Sequence, residues 1–96
     1  MEKFPKTAFA DVLKANSDFV ANFNDERLTG TARKGLAIVT CMDSRINPLA
    51  VVGMKSGDAK ILRNAGARVT DDVLRTLVLA SYLLAVDRVL VMPHTD

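Results

Sequence analysis

Two short segments carry most of the chemistry in this chain. Cys41-Met42-Asp43-Ser44-Arg45 places a thiol, a carboxylate and a guanidinium close together, and His94-Thr95-Asp96 lies at the far end. Cys41 is the only cysteine and His94 the only histidine. A lone cysteine is ordinarily a small buried hydrophobe, and a lone histidine is more often a surface or core residue than a ligand. As a pair they suit zinc, which takes sulfur and nitrogen donors in a tetrahedron. They also suit a nucleophile and its base, although no third group to orient the histidine is evident. A cysteine phosphatase loop would need arginine at position 47, where Asn47 stands. Asp43 and Arg45 are spaced for a charge-assisted pair, as an ordinary solvated ion pair would also be. Arg63-Asn64-Ala65-Gly66-Ala67 fits an oxyanion-binding turn, though a glycine motif alone is a weak signal. Neither GxxxxGK[ST] nor GxGxxG occurs, so a nucleotide site has no support.

These residues depend on elements that hold them in place. Leu36 to Thr40 is a continuous apolar run, as in a strand buried on both faces. Ala59 to Arg63 predicts a second strand and Arg88 to Met92 a third. Asn47-Pro48 opens a short helix that Gly53 closes. Thr70 caps a longer helix, with Asp71 and Asp72 at its positive end and Val73, Leu77, Ala80 and Leu84 as its apolar stripe. Before the first strand, about Thr7 to Phe23 reads as a helix whose apolar face holds Phe9, Val12, Leu13, Phe19, Val20 and Phe23. Asn16-Ser17-Asp18 is a candidate break in it, and Asn24 to Gly35 is a loop.

Strands alternating with helices predict an α/β fold with a parallel, Rossmann-like sheet (strands about 36–40, 59–63 and 88–92) and right-handed crossovers. In such sheets ligands sit beyond the carboxyl ends of the strands. Cys41 follows the first strand, Arg63-Asn64-Ala65-Gly66 ends the second and His94 lies past the third, so all three clusters fall on one edge. Cys41 and His94 reach a common ion if the first and third strands are neighbours.

Composition narrows the class. The 96 residues make one domain at most, with a real core and little stability in reserve. A net charge of +2, with Lys and Arg spread along the chain, gives no nucleic-acid footprint. The apolar runs are far too short to span a bilayer, and the amino terminus has no apolar signal region. With a single cysteine, no internal disulfide can form; a reducing, cytoplasmic setting is expected.

Taken jointly, Cys-x-Asp-Ser-Arg after the first strand, Arg-Asn-Ala-Gly after the second and His after the third resemble the β-class carbonic anhydrases. The resemblance runs almost continuously from Leu36 to Asp96 and includes Asn47-Pro48, Gly57-Asp58 and Val69-Thr70-Asp71-Asp72. It implies one domain over residues 1–96, with a dimerisation helix and loop over 1–35 and a zinc-site α/β core over 36–96. It further implies zinc bound by two cysteines and one histidine. Cys41 and His94 match the first cysteine and the histidine. The second cysteine would fall at position 97, immediately beyond Asp96. The family's further strand and closing helices would also lie beyond this sequence, so a truncated domain with impaired activity is expected.

The implied reaction is attack of zinc-bound hydroxide on carbon dioxide, giving bicarbonate and a proton; zinc lowers the pKa of bound water from roughly 16 to about 7. Asp43 and Arg45 would be catalytic, Asp43 orienting the hydroxide. In a closed state Asp43 would instead bind zinc as the fourth ligand. Asn64, Ala65 and Gly66 would line the substrate pocket. The resemblance also implies a homodimer or higher homo-oligomer, with residues Thr7 to Phe23 lying over the partner. Two other readings stand beside this one: a hydrolase of carbonyl sulfide or carbon disulfide on the same motifs, and a metal-free dimerisation or binding module.

Overall fold

The computed structural model describes residues 3–25 and 27–96. Its elements run α1 (Ala10–Asn22), β1 (Leu36–Cys41), α2 (Pro48–Val51), β2 (Ala59–Asn64), α3 (Asp71–Leu83) and β3 (Arg88–Met92). The three strands form one parallel sheet in the order β2-β1-β3. Cys41 stands opposite Asn64 on one side, and Thr40 stands opposite Met92 on the other. The neighbouring of first and third strands, on which the shared-ion reading depended, is therefore present.

The apolar run became the central strand because both its neighbours hydrogen-bond to it. Leu36 through Thr40 are all buried, and Ile38, Val39 and Thr40 are sealed from solvent. Thr40 is the one polar side chain in this run. Its hydroxyl donates to the Met92 carbonyl at 2.8 Å, which satisfies it and ties the end of β3 to β1. Ala37 joins Ala32, Ala80 and Val86 in a core cluster, with Leu62, Leu77 and Leu84 packed around it. The α3 stripe read from the sequence thus faces the core through Ala80, Leu77 and Leu84, and Val73 is buried too.

The helix signals correspond to formed caps. The Asn47 side chain accepts from the Ala50 amide at 3.4 Å with Pro48 in the first turn. The Thr70 hydroxyl accepts from the Val73 amide at 3.4 Å, and Asp71 and Asp72 sit at the positive end of α3.

At the amino ends of the strands Asp58 acts as a staple. Its carboxylate is almost fully buried; it accepts from the Lys55 amide at 3.0 Å and meets Arg33 Nε at 3.2 Å. Arg33 also donates to the Ser56 carbonyl at 2.6 Å, so one residue pair fixes the loop before β1 to the turn before β2.

Two expectations about α1 are modified. The helix is shorter than Thr7–Phe23, and Asn16-Ser17-Asp18 does not break it; the three residues lie inside a continuous helix. Asp18 there faces Lys14 at 3.9 Å, one turn away on an exposed surface. The apolar face exists but covers nothing: α1 has no buried residue, and Phe19 and Val20 are each 64% exposed. Val89, Leu90 and Val91 on β3 and Leu74, Val78 and Tyr82 on α3 are exposed as well.

Candidate metal and catalytic site

The carboxyl edge of the sheet gathers the chemistry. β1 delivers Cys41 at its last position, and the chain then leaves the sheet through Asp43, Ser44 and Arg45. The turn is closed by the Ile46 amide donating to the Asp43 carbonyl at 3.1 Å. β3 delivers His94 two residues past its end. His94 lies close enough to Cys41 to pull the thiol pKa down. His94 Nε2 lies 3.7 Å from Asp43 Oδ2, and His94 Nδ1 lies 2.7 Å from the Thr95 carbonyl oxygen. A carbonyl only accepts, so Nδ1 carries the proton, and in the neutral ring Nε2 keeps its lone pair.

Asp43 and Arg45 form a fork. Arg45 Nε donates to Asp43 Oδ1 at 3.0 Å, Arg45 Nη2 donates to Oδ2 at 2.7 Å, and the Arg45 amide donates to Oδ1 at 2.8 Å. The Arg45 side chain and then its backbone amide hold the Asp43 carboxyl well below the usual carboxylate range. Asp43 is thus a fixed anion, and it raises Arg45 in return.

Cys41 is pulled down to about 7, first by the Gly66 backbone amide, then by His94 and the Asp43 backbone amide. Thiolate is the ligand and the nucleophile, so this shift makes the sulfur available at neutral pH. His94 is raised, chiefly by the Thr95 carbonyl and then by Cys41.

The structure brings Cys41, Asp43, Arg45 and His94 together. Gly66 joins them through its backbone, the largest influence lowering the Cys41 thiol, on a turn where φ is +91° at Gly66 and +56° at Ala67. Asn64 is occupied otherwise. Its side chain donates to the Arg68 carbonyl at 2.7 Å and accepts from the Arg68 amide at 2.8 Å, which closes the 64–68 turn. Ala65 is exposed on that turn.

One site residue escaped the sequence reading. Arg63 was placed in an oxyanion-binding turn, yet its Nε donates to the Cys41 carbonyl at 2.8 Å and its Nη2 to the carbonyls of Asp43 and Ile46. The signal available was positional: an arginine ending the strand beside the cysteine strand can reach across to that strand's outgoing loop.

The donors fit zinc in type: a thiolate and an imidazole nitrogen in mutual contact, with a carboxylate nearby. In number they make a corner of a site. Among the described residues no group of three or more His, Cys, Asp or Glu is arranged to hold a metal ion.

Fold and site together define a parallel α/β domain with a thiolate–imidazole corner and a carboxylate–guanidinium pair at its ligand-binding edge. The family described as carbonic anhydrase matches residues 36–96. Beta-carbonic anhydrase 1 of Mycobacterium tuberculosis is 39% identical over 90 residues, covering 94% of this chain and 55% of that protein. The crystal structure of carbonic anhydrase from Streptococcus mutans superimposes with a TM-score of 0.85 at 44% identity, covering 92% of this chain and 53% of that one. A carbon disulfide hydrolase of Saccharolobus solfataricus is 37% identical over 76 residues, 78% of this chain and 37% of that protein. The chain belongs to the carbonic anhydrase family, in its β class. It spans about half the length of the first two of these relatives.

Proposed function

We propose that this chain is the zinc-binding part of an enzyme that reversibly hydrates carbon dioxide to bicarbonate and a proton. The observation that carries the reading is the meeting of Cys41 with His94 beside the Asp43–Arg45 fork, in a chain of this family. Cys41 and His94 would hold the ion. A bound zinc would supply water acidified to about pKa 7.

The chain's own residues supply orientation. Asp43, ionised across the neutral range, is a permanent acceptor whose direction is set by the two-point grip of Arg45. It would accept a hydrogen bond from a water at this corner and so leave the water's lone pair aimed outward. The Thr95 carbonyl keeps His94 in the tautomer that turns Nε2 toward Asp43. The turn of Asn64, Ala65 and Gly66 would form the wall of the substrate pocket, with Gly66 also steadying the thiolate. The bidentate fork supports the role in which Asp43 stays off the ion; loss of Arg45 would free Asp43 to become a ligand and close the site.

The uncovered apolar face of α1 supports assembly with a second copy, with residues 1–35 as the pairing segment and 36–96 as the zinc-site core. No helix among the described residues is long and apolar enough to cross a membrane, and a cytoplasmic setting fits the lone thiol.

The test is hydration of carbon dioxide by the complete zinc-loaded enzyme and by its Arg45→Ala variant. The proposal expects a rate above buffer that falls about a hundredfold in the variant, the scale of one lost preorganised contact. Equal rates across neutral pH would remove Asp43 and Arg45 from the mechanism. Parallel assays with carbonyl sulfide and carbon disulfide decide between this substrate and the one named for the Saccharolobus relative.

A further inference from the structure

We propose that Arg63 is a positioning residue: its guanidinium gathers the carbonyls of the loop that leaves β1 and thereby sets the placement of Cys41, Asp43 and Arg45. Arg63 stands on β2 opposite Thr40, one position before the register reaches Cys41. Its Nε donates to the Cys41 carbonyl at 2.8 Å, and its Nη2 donates to the Asp43 carbonyl at 2.7 Å and the Ile46 carbonyl at 3.3 Å. Three carbonyl oxygens from one loop therefore converge on one side chain. Their negative ends repel one another unless a cation lies between them, so the curl of residues 41–46 depends on the charge that fills it.

Geometry matters as much as charge. A planar fork offers donors in fixed directions, and here Nε takes the start of the loop while Nη2 takes its middle and end. The Asp43 carbonyl is shared between Arg63 and the Ile46 amide. That turn places the Arg45 amide against Asp43 Oδ1 at 2.8 Å. Arg63 acts on Cys41 and Asp43 through their backbone carbonyls rather than through the sulfur or the carboxylate. The consequence for metal binding rests on the zinc-site reading above, whereas the consequence for loop shape does not.

The experiment compares the full chain with Arg63→Gln and Arg63→Lys by amide hydrogen exchange and the Arg45 Nε–H resonance, with the Val39 amide as an internal reference. In Arg63→Gln the Arg45 and Ile46 amides should exchange about tenfold faster, the scale of one charge-assisted hydrogen bond lost. Val39 should be unchanged, and the Arg45 Nε–H signal should move toward its solvent-exposed position. Arg63→Lys keeps the charge and loses the fork, so it should recover part of the protection; it also serves as the test should the Gln variant fail to fold. Unchanged loop rates in both variants, full recovery by lysine, or faster exchange that includes Val39 each overturns the proposal.

Cobalt(II) affinity, measured by chelator competition, adds the second arm. A cobalt-binding wild type with an equally tight Arg63→Gln variant overturns the positioning of the site. Failure of the complete enzyme to bind cobalt removes the zinc reading, and the exchange rates still decide for or against Arg63.

Discussion

Asp58–Arg33 and Asp43–Arg45 are the same ion pair at opposite ends of one sheet, and they do different work. At the amino end Asp58 is sunk beneath the surface, its second oxygen is held by the Lys55 amide, and Arg33 is 39% exposed. At the carboxyl end the Arg45 side chain is 70% exposed, and the carboxylate it grips stands 3.7 Å from an imidazole. The first pair joins two loops to each other. The second joins a loop to itself and leaves its charge facing a site. Salt-bridge chemistry alone does not separate staple from machinery; what else touches the carboxylate does.

The largest effect should come from removing what both ends share. Ile38 lies at the middle of β1 with no exposed surface, and Ile38→Ala should cost about 3 kcal/mol. For a domain of this size that is a large share of total stability. Thermal melts should therefore show both ends lost together.

Separating the ends comes next. Cys41→Ser should abolish cobalt(II) thiolate absorption while the melting temperature holds, and Asp58→Asn should lower the melting temperature by a few degrees while cobalt binding survives. The reverse pattern would place the metal site at the wrong end of the sheet.

Acid titration sharpens the contrast at the amino end. The Lys55 amide first, then the charges of Arg33, Lys34 and Lys55, hold Asp58 below its ordinary value. A depressed folded pKa contributes stability that is present above the unfolded value, about 3.9, and lost as pH falls through the folded one. Asp58→Asn should therefore flatten the acid limb of stability below about pH 4, and an unaltered limb would deny Asp58 this role.

The smallest effect is at the carboxyl end. Alkylation of Cys41 by iodoacetamide should rise through a midpoint of about 7. In His94→Gln the midpoint should move up toward the ordinary thiol value, but only in part, because the Gly66 amide is the larger cause and remains. No movement would mean that His94 does not act on the sulfur.

Much of the frame was legible. β1, β2 and β3 lie within a residue of the expected spans because apolar runs bounded by Gly, Asn and Asp have little else to become. The caps of α2 and α3 were readable for a related reason, since Asn47 and Thr70 act on backbone within three positions of themselves. The meeting of Cys41 and His94 required one assumption, strand order, which local sequence does not encode. Arg63 and the Asp58–Arg33 pair were opaque on the same ground: their bonds span 17 to 22 positions and 25 positions in sequence, respectively. The sequence also showed that α1 has an apolar face, but a periodic pattern does not say which surface covers it.

That uncovered helix has a dynamic consequence. Thirteen residues are too few to stay helical in water on their own strength, and α1 borrows nothing from the core. Its amides should open as a unit separate from β1, with protection governed by whatever lies against Phe19 and Val20. The exchange rate of α1 at increasing chain concentration is then a direct gauge of occupancy, readable residue by residue without any label.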